Sequence, residues 1–183
     1  LISTNMLLEE FFLSRKVFIK ISDEPLDKFN PDEIILILST QYALGLINSH
    51  QVSEILSSFI TQKIESLVNK SSIQYNYFIG GLGSFGSENM NFASDIDLII
   101  VTDNVQKHPD IQKDFQKLIN TISEIIKPFA IDFKLRPEGK SSPLVWGIEN
   151  YRDYLDKRAR AWEFQSLLKL KFICGDKNLF YRF

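Results

Sequence analysis

The stretch SDIDLIIV, Ser94 to Val101, sets two aspartates one residue apart at the mouth of an unbroken apolar run. A glycine-rich segment, GGLGSFGSENMN (Gly80 to Asn91), comes just before it. Residues two apart in a strand point to the same face, so Asp95 and Asp97 project together. Two carboxylates that close repel unless a positive charge lies between them, and hard divalent cations with oxygen ligands are the usual solution. Magnesium fits, because carboxylates hold it while substrate phosphates complete its shell.

Phosphates need a cradle of their own, and the upstream segment offers one. Gly80, Gly81 and Gly83 allow close backbone approach to a ligand, while Ser84, Ser87 and the amides that open a following helix suit an anion. A third acid is expected from a neighbouring strand. Asp132, in the alternating segment AIDFKL (Ala130 to Leu135), is the candidate, since Ile131 and Phe133 would face the other way. The plainer reading of the acid pair is a solvated strand end; the glycine-serine turn and Asp132 together argue against it.

Outward from this centre, the chain divides. Asn30-Pro31-Asp32-Glu33 is a helix start, with a cap, a proline at the first helical position and acids in the first turn. Val52, Ile55, Leu56, Phe59, Ile60, Ile64, Leu67 and Val68 form a core-facing helical stripe, with Ser49 as the expected cap. YNYFIG (Tyr75 to Gly80) and IDLIIV (Ile96 to Val101) read as buried strands, and AIDFKL as a third. Helical spacing covers Ile111 to Ile126 and returns from Ile148 onward, where Trp162 is expected in the core and Cys174 in an apolar helix. RPEGKSSP (Arg136 to Pro143) is a loop by composition. The fold expected is α+β, a small mixed sheet flanked by helices in a two-layer packing, with an amino-terminal helical segment over 1–70 and a catalytic domain over 71–183.

Bulk properties narrow the function classes. The chain has 183 residues, 44% of them hydrophobic, enough to bury a core. A net charge of −2 and no run of consecutive cations remove the electrostatic support for nonspecific nucleic-acid binding. The single cysteine, Cys174, has no internal partner for a disulfide or a zinc site, which fits a reducing, cytoplasmic setting. No apolar run approaches the ~20 residues of a membrane span. The chain begins at Leu1 and ends at Phe183 after an aromatic cluster, as expected of a piece of something longer.

The segment around the acid pair resembles the GS…SDIDL signature of the nucleotidyltransferase superfamily that includes DNA polymerase β. It is closer to the glutamine synthetase adenylyltransferases, where the signature reads approximately GKLGGRELNYGSDIDL. DFKLRPEGKSSPLV (Asp132 to Val145) is similar to that family's DLRLRPxGxSGPLV, and WEFQSLLKLKFICGD (Trp162 to Asp176) to its WExxALxKAR…GD. The helix LSTQYALGLIN (Leu38 to Asn48) looks like the family's lead-in. Ser84, Ser87 and Asn89 depart from its lysine, glycine and glutamate, and Lys171 replaces an arginine, keeping charge without the bidentate fork.

The resemblance implies a polymerase-β-like fold and transfer of AMP between ATP and a tyrosine hydroxyl of glutamine synthetase, or the reverse reaction in which phosphate releases ADP. Two Mg2+ ions would be held by Asp95, Asp97 and Asp132, with Asp132 near the attacking oxygen. The candidate nucleotide-binding set is Gly83, Ser84, Ser94, Arg136, Lys140 and Lys169. Ser141 is a weaker member, and Glu163 is expected either to pair with Arg136 or to meet substrate. Glutamine synthetase and a nitrogen-signalling regulatory protein are the implied partners. Two alternatives stay open on the residues alone: a small-molecule nucleotidyltransferase with the same acid triad, and a catalytically weakened regulatory domain that binds nucleotide.

Overall fold

A computed structural model describes residues 26–139 and 142–183. Helix α1 (Pro31–Ala43) starts where expected: Asn30 Oδ1 accepts the Glu33 N–H at 2.8 Å, and Glu33 Oε2 accepts the Asn30 N–H at 3.0 Å. Helix α2 (Ser49–Lys70) is capped by Asn48 instead of the expected Ser49. Asn48 has Gln51 three residues on, and the two exchange bonds of 2.9 and 3.0 Å; Ser49 has only apolar Val52 at that spacing. The α2 stripe is core: Val52, Leu56, Phe59, Ile60, Ile64 and Val68 are buried. Each such large side chain contributes about 1.5–3 kcal/mol of burial.

The sheet has five strands. Strand β1 (Tyr77–Gly81) runs into the short helix α3 (Gly83–Gly86), and β2 (Ile96–Thr102) returns antiparallel to β1. Helix α4 (Ile111–Ile125) then leads to β3 (Ile131–Asp132) and β4 (Val145–Gly147), both parallel to β2 and paired with its successive halves. Helices α5 (Ile148–Lys157) and α6 (Ala161–Leu167) precede β5 (Lys171–Gly175), which closes on the other edge of β1 before α7 (Lys177–Arg182). The mixed α+β sheet is therefore as expected, but β5 falls within the expected helical region, and β4 lies between the expected loop ending at Pro143 and the expected helix from Ile148. Their pairing with distant strands, not a local period, makes them strands. Cys174 accordingly lies buried on β5 and not in a helix.

Helices cover both faces of the sheet, giving three layers where two were expected. Leu98 and Ile100 of β2 join α1, α2 and α4 in one cluster, while Ile99 and Val101 pack with Ile148 and Tyr151 of α5 and Leu179 of α7. This explains why β2 reads as a continuous apolar run. The described helices of the 1–70 segment share the first cluster with the sheet. Among the described residues no helix is long and apolar enough to cross a membrane.

Candidate active site

The acids gather at the start of β2. Asp97 and Asp132 are register partners across the parallel β2–β3 pair, so the third acid falls beside the pair as expected. Asp95 precedes the strand by one residue. Its side chain is 49% exposed, against 12% for Asp97 and 15% for Asp132, which makes Asp95 the outward arm and the other two the inner wall.

All three face one cation that the sequence reading did not single out, Lys134. Its Nζ lies 3.2 Å from Asp132 Oδ2, 3.7 Å from Asp95 Oδ2 and 4.0 Å from Asp97 Oδ1. The expected strand over Ala130 to Leu135 shortens to two residues, because Asp132 Oδ1 accepts the Lys134 N–H at 2.8 Å and bends the chain. That turn folds Lys134 back over the acids. The available signal was the spacing of Asp132 and Lys134, two apart in AIDFKL.

Asp97 is in an unusual state for a carboxylate. Its Oδ1 is buried and has no hydrogen bond. Its pKa is raised, first by burial, with Asp132 and Asp95 adding to the effect and Lys134 opposing it. The neighbouring acids and their bonds instead hold Lys134 more firmly protonated, led by its bond to Asp132. Gly83 stands directly against Asp97: it has φ +58°, and a Cβ there would lie 2.3 Å from Asp97 Oδ2. Only glycine supplies both that backbone angle and that space.

Among the described residues no three His, Cys, Asp or Glu side chains form a ready-made metal cage. Mg2+ seldom uses one; it takes one or two carboxylates and completes its shell with water and substrate phosphate. Asp95, Asp97 with its unsatisfied buried Oδ1, and Asp132 are the hard oxygen donors that could hold such an ion here.

The remaining candidates are distributed around this centre. Gly80 and Gly81 are buried in β1, where Leu170 and Phe85 of the chain itself take the space a side chain would fill, so they are not ligand-facing. Ser84 is half-buried on α3 next to Gly83, and Ser87 Oγ donates to the Gly83 carbonyl at 2.9 Å. Ser94 closes the turn into Asp95, its Oγ accepting the Asn91 N–H at 2.9 Å. Arg136 is buried and organises its own loop: Nε donates to Gly139 O and Ser142 Oγ, both at 3.0 Å, and Nη2 to Ser142 O at 2.9 Å. Lys140 and Ser141 lie outside the described residues. Lys169 is exposed in the turn after α6, and its carbonyl packs where a Gly86 side chain would be.

Two expectations near α6 are corrected. Glu163 is buried; it accepts from Tyr154 Oη at 2.6 Å and from the Arg160 N–H at 2.8 Å, serving as a structural acceptor at the helix start. Trp162 is 46% exposed and is not core, because α6 spans only seven residues and turns Glu163 inward in its place.

A mixed sheet that brings two acids from the start of one strand beside a third from its parallel neighbour, with a glycine turn packed against them, defines a nucleotidyltransferase domain. The chain belongs to the glutamate-ammonia ligase adenylyltransferase family, whose model matches residues 26–183. It is similar to relatives named bifunctional glutamine synthetase adenylyltransferase/adenylyl-removing enzyme. The protein of Bifidobacterium longum subsp. infantis is 34% identical over 118 residues, covering 56% of this chain and 11% of the relative. That of Chromobacterium violaceum is 32% identical over 106 residues, covering 54% and 12%, and that of Corynebacterium glutamicum 29% over 129 residues, covering 68% and 12%. The chain therefore spans about an eighth of the length of these relatives.

Proposed function

We propose that this domain transfers AMP between ATP and a tyrosine hydroxyl of glutamine synthetase, with two Mg2+ ions held by Asp95, Asp97 and Asp132. The observation that carries the reading is the convergence of the three carboxylates at the β2–β3 edge, with a buried oxygen of Asp97 left without a hydrogen bond. The ions, when bound, would neutralise phosphate charge and stabilise the entering and leaving oxygens of an in-line displacement.

The chain's own residues set the geometry. The Lys134 N–H holds Asp132 Oδ1, which fixes that carboxylate and leaves Oδ2 turned to the site. Once Lys134 has left it, Oδ2 would be the group that takes the proton of an attacking hydroxyl. Gly83 keeps the backbone clear of Asp97, and the turn closed by Ser94 presents Asp95 at the rim. The names of the relatives cover both addition and removal of the adenylyl group.

Intact-mass measurement of glutamine synthetase after incubation with this chain, ATP and Mg2+, beside Asp95→Asn, tests the reading. A gain of one AMP per subunit with wild type alone supports adenylylation. Loss of AMP from adenylylated subunits when phosphate is supplied supports removal. No change in either direction refutes the proposal for this domain.

A further inference from the structure

We propose that Lys134 is the resident counter-ion of the acid triad, a positioning residue whose ammonium must be displaced before a divalent cation can load. The inference rests on the reading that the triad binds such a cation. One ammonium lies within 4.0 Å of an oxygen from each of the three acids. It is carried by a turn that Asp132 itself fixes through its bond to the Lys134 N–H, so the same carboxylate orients the lysine and binds it. A second observation points to the same spot: Asp97, only 8% exposed, aims an oxygen there that has no hydrogen bond, and Lys134 is too far from it to supply one.

Lys134 is half exposed, so its long side chain can leave the acids without unfolding anything. A bare divalent cation that enters must expel the ammonium into water. A cation arriving with a nucleotide brings phosphates, and the displaced ammonium then gains a new anion within reach. Lys134 therefore couples metal loading to nucleotide: it weakens binding of the ion alone and favours binding of the two together. A lysine suits this exchange, because a single flexible point charge can change partners, whereas a bidentate guanidinium would hold its carboxylate.

The test is Mn2+ binding to the whole chain, measured by electron paramagnetic resonance with and without ADP, for wild type, Lys134→Met, Lys134→Arg and Asp95→Asn. Lys134→Met is expected to tighten binding of Mn2+ alone by roughly tenfold or more, since one repelling charge leaves a partly solvated site. It is also expected to shrink the enhancement that ADP gives to Mn2+ binding and, in EDTA, to lower the melting temperature, which Mn2+ then restores. Lys134→Arg, which keeps the charge and adds a fork that holds its carboxylate, binds Mn2+ alone no more tightly than wild type, and its circular dichroism checks that substitution at this position is tolerated. Equal Mn2+ affinity in wild type and Lys134→Met overturns the proposal while leaving the metal site standing. Absence of Asp95-dependent Mn2+ binding in every variant, with ADP present, overturns the metal site and this inference with it.

Discussion

Gly83→Ala tests the packing of the glycine turn on the acids, and Gly45→Ala provides its control. Both glycines have left-handed backbone, φ +58° and +70°, but a Cβ at Gly83 meets Asp97 Oδ2 at 2.3 Å whereas one at Gly45 meets nothing within 4 Å. Left-handed backbone costs an alanine about 1–2 kcal/mol relative to glycine. For a domain of this size that lowers Tm by about 2–8 °C, and the two variants should share this loss. Gly83→Ala carries a second effect: ordinary contact begins near 3.4 Å, so the Asp97 carboxylate has to move by about 1 Å. A shift of that size in a positioned group costs roughly 100-fold in rate. Thermal melts, Mn2+ titration and adenylyl transfer on both variants separate the effects. If Gly83→Ala binds Mn2+ and turns over like Gly45→Ala, Asp97 is not held where the reasoning requires.

Asp97→Asn should raise the melting temperature in EDTA at neutral pH while abolishing Mn2+ binding. The fold raises the Asp97 pKa, so the folded chain disfavours the ionised form, and metal-free stability increases as pH falls through the folded pKa; an unchanged or lower Tm contradicts this. Arg136→Lys removes the fork that ties Gly139 and Ser142 together; a loss of about 1–3 kcal/mol and faster hydrogen exchange across that loop are expected, and unaltered exchange would show that the guanidinium is not its organiser. Burial pushes the Cys174 thiol up to about 12. An unfolded thiol ionises near 8.5, so the folded chain keeps the extra proton and stability falls as pH rises through that window, by about 2 kcal/mol between pH 8 and 10. Cys174→Ala should remove that component of the slope, as read from urea midpoints; parallel losses in both proteins would refute it.

Much of the molecule was legible before any coordinates. Asn30, Pro31 and the acids after them announce a helix start, the α2 stripe announces its buried face, and the apolar run after Asp95 announces a buried strand. In these segments the signal is local: side chains three or four apart, or two apart, decide which atoms can meet. The acid pair was legible for the same reason, since one strand fixes both members.

What the sequence left open was whatever depends on partners far along the chain. Strands β4 and β5 are short, and hydrogen bonds to β2 and β1 define them. The bond that Glu163 accepts from Tyr154, and the loop that closes around Arg136, join groups that no local period relates. The sequence by itself determined the acids, their spacing and the scaffold chemistry, because those are properties of composition and period. Tertiary structure alone decided that Asp132 stands beside Asp97, that Gly83 is pressed against a carboxylate, and that Lys134 folds back among the three acids, because strand register and turn closure bring together residues that no local period relates.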